Sequence, residues 1–238
     1  MEGMDNMSNP IKENLNNIYE NIKINCEKSN REVKDVKLVA VAKNHPPKKI
    51  ISALKAGHKT FGENRVQELL EKHELFYEQD IKWHFIGHLQ KNKVKYLMKI
   101  KQLEMIESID SIDIAEELNN EASKNNRRVK ILLQVNIAKD PKKYGFTKNN
   151  INKVLNTINK FDNIDVQGLM TITPYESNPE DVRKYYKEMK VLFDNLNEQG
   201  YNLKELSMGM SNDYHIAVQE GATIVRVGTA IFGKRNYY

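Results

Sequence analysis

The chain has 238 residues, with 37 Lys plus Arg against 32 Asp plus Glu, for a formal charge of +5. A chain of this length buries most of the surface it exposes when unfolded, so a folded globular protein is expected and a disordered one is excluded. No apolar stretch approaches the roughly 18 residues of a membrane helix, and the charged, Asn-rich first thirty residues lack the apolar centre of a signal peptide.

The single cysteine, Cys26, cannot form an internal disulfide, which fits a reducing compartment and a cytoplasmic location. Of the 37 basic residues, 30 are Lys and 7 are Arg, and the Lys excess is dispersed among 28 Asn. Nucleic-acid readers tend to cluster Arg, so the +5 charge points to no nucleic-acid partner.

In chain order, Ile11, Leu15, Ile18, Ile22 and Cys26 recur at steps of three and four, an amphipathic helix over 11–28. The β-branched run Lys37–Lys43 reads as a buried strand, stopped by Asn44, His45 and the Pro46-Pro47 pair. Helix over 48–56, strand over 59–62, helix over 66–76 and strand over 82–87 follow. A weak helix over 91–99 precedes a strand over 103–108 and a helix over 112–125. Further strands are expected over 129–137, 165–172, 205–208 and 223–227, separated by helices near 148–160, 179–199 and 212–220.

Eight strands alternating with helices at this spacing imply βαβ units and a parallel sheet. The expected fold is α/β, a closed (β/α)8 barrel, with a doubly wound open sheet as the alternative. No linker or repeat divides the chain, so residues 1–238 are expected to form one domain, with 1–10 flexible.

In such a barrel, chemistry gathers in the loops after the strand C-termini. Lys43 shares a face with Val39 and Val41, which aims its amine at the barrel mouth. A free lysine, with a pKa near 10.4, must lose its proton before attacking a carbonyl; a strand-end lysine reaching solvent is the alternative. Arg226 shares a face with Ile224 and Gly228, and Gly228-Thr229 then turn into a short helical segment. N–H groups and a hydroxyl placed there suit phosphate oxygens, and barrels of this kind often hold phosphate after strands seven and eight. Ser211, in the Gly209-Met210-Ser211-Asn212-Asp213 loop, is placed to add an N-cap-type hydroxyl or N–H donor.

His84 and His88 fall in a strand and its loop, so they do not form a helical zinc pair. His84 either faces the barrel interior near the mouth or is a satisfied core histidine. Lys142-Lys143 reads as a solvated turn, with transient ligand capture as the alternative.

The segments VAVAKNH (39–45), FGENRVQE (61–68), WHFIGHLQKNK (83–93), GLMTI (168–172), LSMGMSND (206–213) and VRVGTAIFG (225–233) together resemble the pyridoxal phosphate homeostasis (YggS/PROSC) family. The resemblance spans about residues 11–235 and implies a barrel like the N-terminal domain of alanine racemase, with an extra N-terminal helix. It implies pyridoxal 5'-phosphate as cofactor, held as a Schiff base on Lys43, with Asn64 beside it. Met210 belongs to the implied cofactor-binding set; Ser211, Gly228 and Thr229 would hold the phosphate, and Arg226 would face the pyridine nitrogen. Lys91 and Asn44 depart from the family's common Ser and Thr.

Because the chain ends at Tyr238, just after the barrel, the racemases' second domain and its opposing tyrosine are not expected. The resemblance therefore implies a carrier or regulator of the cofactor, with apo-enzymes as recipients; a monomer is expected because the sequence offers no obvious extra dimerisation element. A fold-type III racemase or decarboxylase is the alternative.

Overall fold

In the computed structural model, which describes residues 9–234, the eight strands form one closed parallel barrel in sequential order. They are β1 (Lys37–Val41), β2 (Thr60–Glu63), β3 (Lys82–Phe85), β4 (Leu103–Ile109), β5 (Val129–Gln134), β6 (Ile164–Met170), β7 (Glu205–Ser207) and β8 (Ile224–Val227). Closure comes from β1, which pairs with β2 on one side and β8 on the other, with Val39 opposite Arg226. This pairing excludes the open doubly wound sheet.

The outer layer holds α1 (Pro10–Lys28), α2 (Pro47–Lys55), α3 (Val66–Leu75), α4 (Val94–Leu97), α5 (Ile112–Lys124), α6 (Ile151–Ile158), α7 (Arg183–Glu198), α8 (Tyr214–Gln219) and α9 (Thr229–Phe232). The extra helix α1 buries its predicted stripe, from Ile11 to Cys26, against α2, α8 and α9. Asn9 caps it, its Oδ1 accepting from the Ile11 and Lys12 amides while its Nδ2 donates to Ser52 O at 3.1 Å. Of the ten residues expected to be flexible, Asn9 and Pro10 are thus built into the helix start, and 1–8 lie outside the described residues.

Two apolar layers follow from period-two alternation. The larger lies between the strands and the helices; the smaller fills the barrel with Val39, Met105, Leu132, Met170 and Ile224. Gly168 lets β6 approach β7 closely, since a Cβ there would lie 1.7 Å from Glu205 O.

Element ends differ from expectation where tertiary bonds take over. β1 stops at Val41 because the Ala42 carbonyl is claimed by the His45 amide, which turns the chain. β5 stops at Gln134, after which Val135 bridges to Phe146 in its own following loop. The segment expected as one helix over 179–199 opens with a 3-10 turn, Pro179–Val182, capped by Asn178, before α7 begins. Likewise, the weak helix over 91–99 divides into a 3-10 turn, Lys91–Lys93, and α4.

Replacing Gly168 by alanine must push β6 from β7, and a destabilisation of about 3 kcal/mol is expected, measured as a lowered urea midpoint. An unchanged midpoint would show that the close approach is not needed.

Candidate functional site

A cavity of about 430 Å³ opens at the C-terminal end of the barrel. Its wall includes Lys43 after β1, Met210 and Ser211 after β7, Arg226 at the end of β8, and Gly228 and Thr229 beyond it. Six of the seven residues singled out from the sequence therefore share one wall.

Asn64 does not join that wall. β2 ends at Glu63, and the Asn64 backbone packs on Gly87, where a Cβ would lie 2.0 Å from Asn64 O. Its Oδ1 is buried without a hydrogen-bond partner among the described residues.

Ser211 differs from expectation in what it binds. The cap position of α8 is Asp213, not Ser211. The Ser211 Oγ instead accepts from the Gly228 amide at 3.2 Å and the Ala230 amide at 3.4 Å, joining the β7 loop to the start of α9. Asp213 accepts from the Met210 amide at 2.6 Å, which closes the β7 loop on itself. Gly209 makes that loop possible: its φ of +94° suits glycine, and a Cβ would lie 2.5 Å from Ala217 Cβ. Gly228 sits against Val41, with 3.3 Å between a Cβ built on it and Val41 O, so a larger residue would crowd the same corner.

Arg226 is 4% exposed and sits in an array that crosses the barrel interior. It donates through Nη1 to Ser207 Oγ and through Nη2 to Thr171 O at 2.7 Å, and lies 3.8 Å from Glu107 Oε2. Ser207 Oγ donates to that same Glu107 oxygen at 2.5 Å, and the other oxygen of Glu107 lies 2.5 Å from His84 Nδ1. His84 Nε2 reaches Glu104 at 3.3 Å, and Glu104 faces Lys82 at 3.5 Å.

Burial opposes a charge on His84, but the hydrogen bonds to Glu104 and Glu107 outweigh it and raise its pKa to about 9. Burial also resists a charge on Glu107, yet His84, Arg226 and Ser207 hold its carboxyl below the usual range. The hydrogen bond from His84 lowers Glu104 to about 2. His84 is thus a satisfied core histidine, and it was foreseeable only as one of two readings. Glu107 and Ser207 were missed, although alternation from Met105 puts Glu107 on the inward face.

His88 takes different partners, with its Nδ1 2.7 Å from Asp110 and its ring stacked on Tyr144 at 3.8 Å. Lys142 and Lys143 lie in a turn, and Lys143 Nζ donates to Ile172 O at 3.4 Å. Burial lowers the Lys143 pKa.

The arrangement suits a phosphorylated aldehyde. Amides and a hydroxyl converge after β8, an amine stands on the adjacent strand end, and a guanidinium forms the floor.

Fold and site together define a barrel of the alanine racemase N-terminal domain family, which the chain matches over residues 14–236. It is 43% identical to the pyridoxal phosphate homeostasis protein of Aquifex aeolicus, over 94% of this chain and 98% of that one. With the human pyridoxal phosphate homeostasis protein it shares 39% identity, over 84% and 77% of the two chains. PipY of Synechococcus elongatus, solved with PLP bound, superposes with a TM-score of 0.82 at 33% identity, covering 94% of this chain and all of that one. An alanine racemase of Clostridium difficile, at 20% identity and a TM-score of 0.71, shares the fold. The chain belongs to the pyridoxal phosphate homeostasis protein family.

The buried array gives a pH signature. His84 binds its proton more tightly when folded, so its contribution is complete below about pH 6.5 and is lost as pH rises through about 9. Urea unfolding from pH 6 to 9.5 should show a loss on the order of 3 kcal/mol. In a folded His84→Gln variant most of that loss should be absent, leaving the smaller early part that comes from Glu63, whose carboxyl burial raises to about 7; an equal decline there would assign it to other groups.

Proposed function

We propose that this chain binds pyridoxal 5'-phosphate at the barrel mouth and serves its homeostasis inside the cell, without dedicated catalysis. The observation that carries the reading is the meeting of Lys43, Ser211, Arg226, Gly228 and Thr229 on one cavity wall. It is supported by relatives named for this cofactor and by a structural neighbour solved with PLP bound.

The cofactor supplies an aldehyde that bonds covalently to a primary amine with loss of water. Lys43 offers that amine and is the proposed covalent anchor. The Ser211 and Thr229 hydroxyls would donate to phosphate oxygens, joined by the Gly228 and Ala230 amides once they turn from the Ser211 oxygen, to which they make long bonds of 3.2 and 3.4 Å, toward the phosphate. Met210 would add wall beside the ring. Arg226 would donate toward the pyridine nitrogen; being always charged, it cannot keep that nitrogen protonated as an acid would.

The preference for a carrier rests on the ionisable groups of the wall. Among the described residues these are Lys43, Tyr175, Glu176, Asp213 and Arg226. Asp213 is engaged by the Met210 amide, and Arg226 by Ser207 and Thr171. Tyr175 and Glu176 lie in a loop without regular structure, and Tyr175 is 80% exposed. A racemase or decarboxylase needs a proton carrier held in place against the substrate carbon, and neither residue is so held. We take the acting form to be a cytoplasmic monomer, and the recipients to be apo-enzymes that use the same cofactor.

Purified protein mixed with pyridoxal phosphate should develop a visible absorbance band. Borohydride should then trap a phosphopyridoxyl group that mass mapping places on Lys43; Lys43→Ala should give none, and the absence of both from the parent protein would overturn the reading. Ser211→Ala should weaken binding by about tenfold, the effect of one lost hydrogen bond to a charged group. Incubation of the loaded protein with amino acids in heavy water should give no α-proton exchange; exchange with turnover would replace the carrier by a fold-type III enzyme.

A further inference from the structure

The turn that presents Lys43 is gripped from the side facing α3. Ala42 and His45 close it, the His45 amide donating to Ala42 O at 3.1 Å, with Lys43 and Asn44 at its centre. Asn44 has φ +60°, a left-handed conformation that asparagine tolerates at the third position of a turn.

Lys72, on α3, points at this turn and is 4% exposed. Its ammonium donates to Ala42 O at 2.8 Å, to Glu63 Oε1 at 2.5 Å and to Glu68 Oε1 at 2.8 Å. All three of its protons are thereby used. Glu68 Oε1 also accepts from the Asn44 amide at 2.7 Å. The carbonyl before Lys43 and the amide after it are therefore both tied to one ammonium–carboxylate pair. Those two peptide groups set the backbone direction at Lys43 itself.

A buried ion pair is weak ground for stability, since well-packed apolar residues often serve as well or better. The specific product of this one is the geometry of the turn. We propose that Lys72 and Glu68 are positioning residues that fix how Lys43 enters the cavity, and that Glu63 holds Lys72 in the dry space between β2 and α3. The proposal rests on the reading of Lys43 as the covalent anchor.

The test separates anchoring from binding. Pyridoxine 5'-phosphate has the ring and phosphate but no aldehyde, so its affinity reports the pocket alone; the rate of borohydride-trapped pyridoxal phosphate at Lys43 reports the amine's placement. The paired variant Lys72→Met with Glu63→Gln leaves neither of those two charges unpaired. Glu68→Ala is a milder lesion, at a side chain 20% exposed.

The paired variant should keep its thermal midpoint and hold pyridoxine 5'-phosphate within about threefold of the parent. Its trapping rate should fall by roughly tenfold, and that of Glu68→Ala by about threefold. Unchanged trapping in the folded variants would overturn the proposal, as would equal losses for both ligands, which mark a merely structural role. Should the paired variant not fold, Glu68→Ala decides on the same readouts. If the parent traps nothing at Lys43 yet binds pyridoxine 5'-phosphate, the anchor reading itself has failed and the proposal falls with it.

Discussion

Arg226 carries a full positive charge into the interior of a closed barrel, where an unpaired ion is prohibitively costly, and residues from four other strands and their ends are arranged around that fact. Moving away from it, the charges alternate through Glu107, His84 and Glu104 to Lys82. The elevated pKa of His84, about 9, keeps the third member of this series charged, so Glu107 sits between two cations. Ser207 and the Thr171 carbonyl take guanidinium protons that no carboxylate reaches. Apolar residues fill the remaining interior, with Val39 and Ile224 beside the array. Removing one member of such a chain would leave its neighbour buried without compensation, which costs far more than the pair contributes.

The cavity lies between two supports that share no residue. On the β8 side the interior array holds Arg226. On the β1 side the Lys43 turn is held by Lys72, Glu63 and Glu68, reached through α3. Since Val39 pairs with Arg226 across β1 and β8, the strand register sets the distance between the two functional ends. Within the β7 and β8 loops, Ser211 is the tie, because the Gly228 and Ala230 amides both donate to its hydroxyl.

Much of this was readable before the structure. The apolar run ending at Lys43, the eight alternating units and the Gly-rich loops after β7 and β8 are local patterns, and local patterns report period and loop placement well. The motif resemblance located the family on the same residues. Pairings between distant segments were not readable. Nothing near Ser211 in sequence says that its hydroxyl will meet amides 17 and 19 residues later rather than cap α8. Nothing near Lys72, on an ordinary amphipathic helix, shows that it will be buried against Ala42, 30 residues earlier. The resemblance puts Asn64 beside the cofactor, whereas its backbone packs on Gly87 and the residue is not part of the cavity wall. Glu107 was the detectable omission, since a charged residue on the inward face of an apolar strand requires a partner, and Arg226 and His84 were the inward-facing cations available.

Whether such a site holds its cofactor or uses it depends on where protons can go. An arginine facing the ring nitrogen weakens the ring as an electron sink, because it donates a hydrogen bond without supplying a proton. That limits carbanion chemistry but does not abolish it. The sharper difference is the second proton carrier, which must stand at a defined point across the substrate carbon. Here Tyr175 and Glu176 belong to the irregular loop after β6, whereas Arg226 is held by Thr171 O at 2.7 Å and the Met210 loop by Asp213 at 2.6 Å. Order on this wall thus lies with groups proposed to retain the ligand rather than with a proton carrier, which supports the proposed carrier over a racemase or decarboxylase.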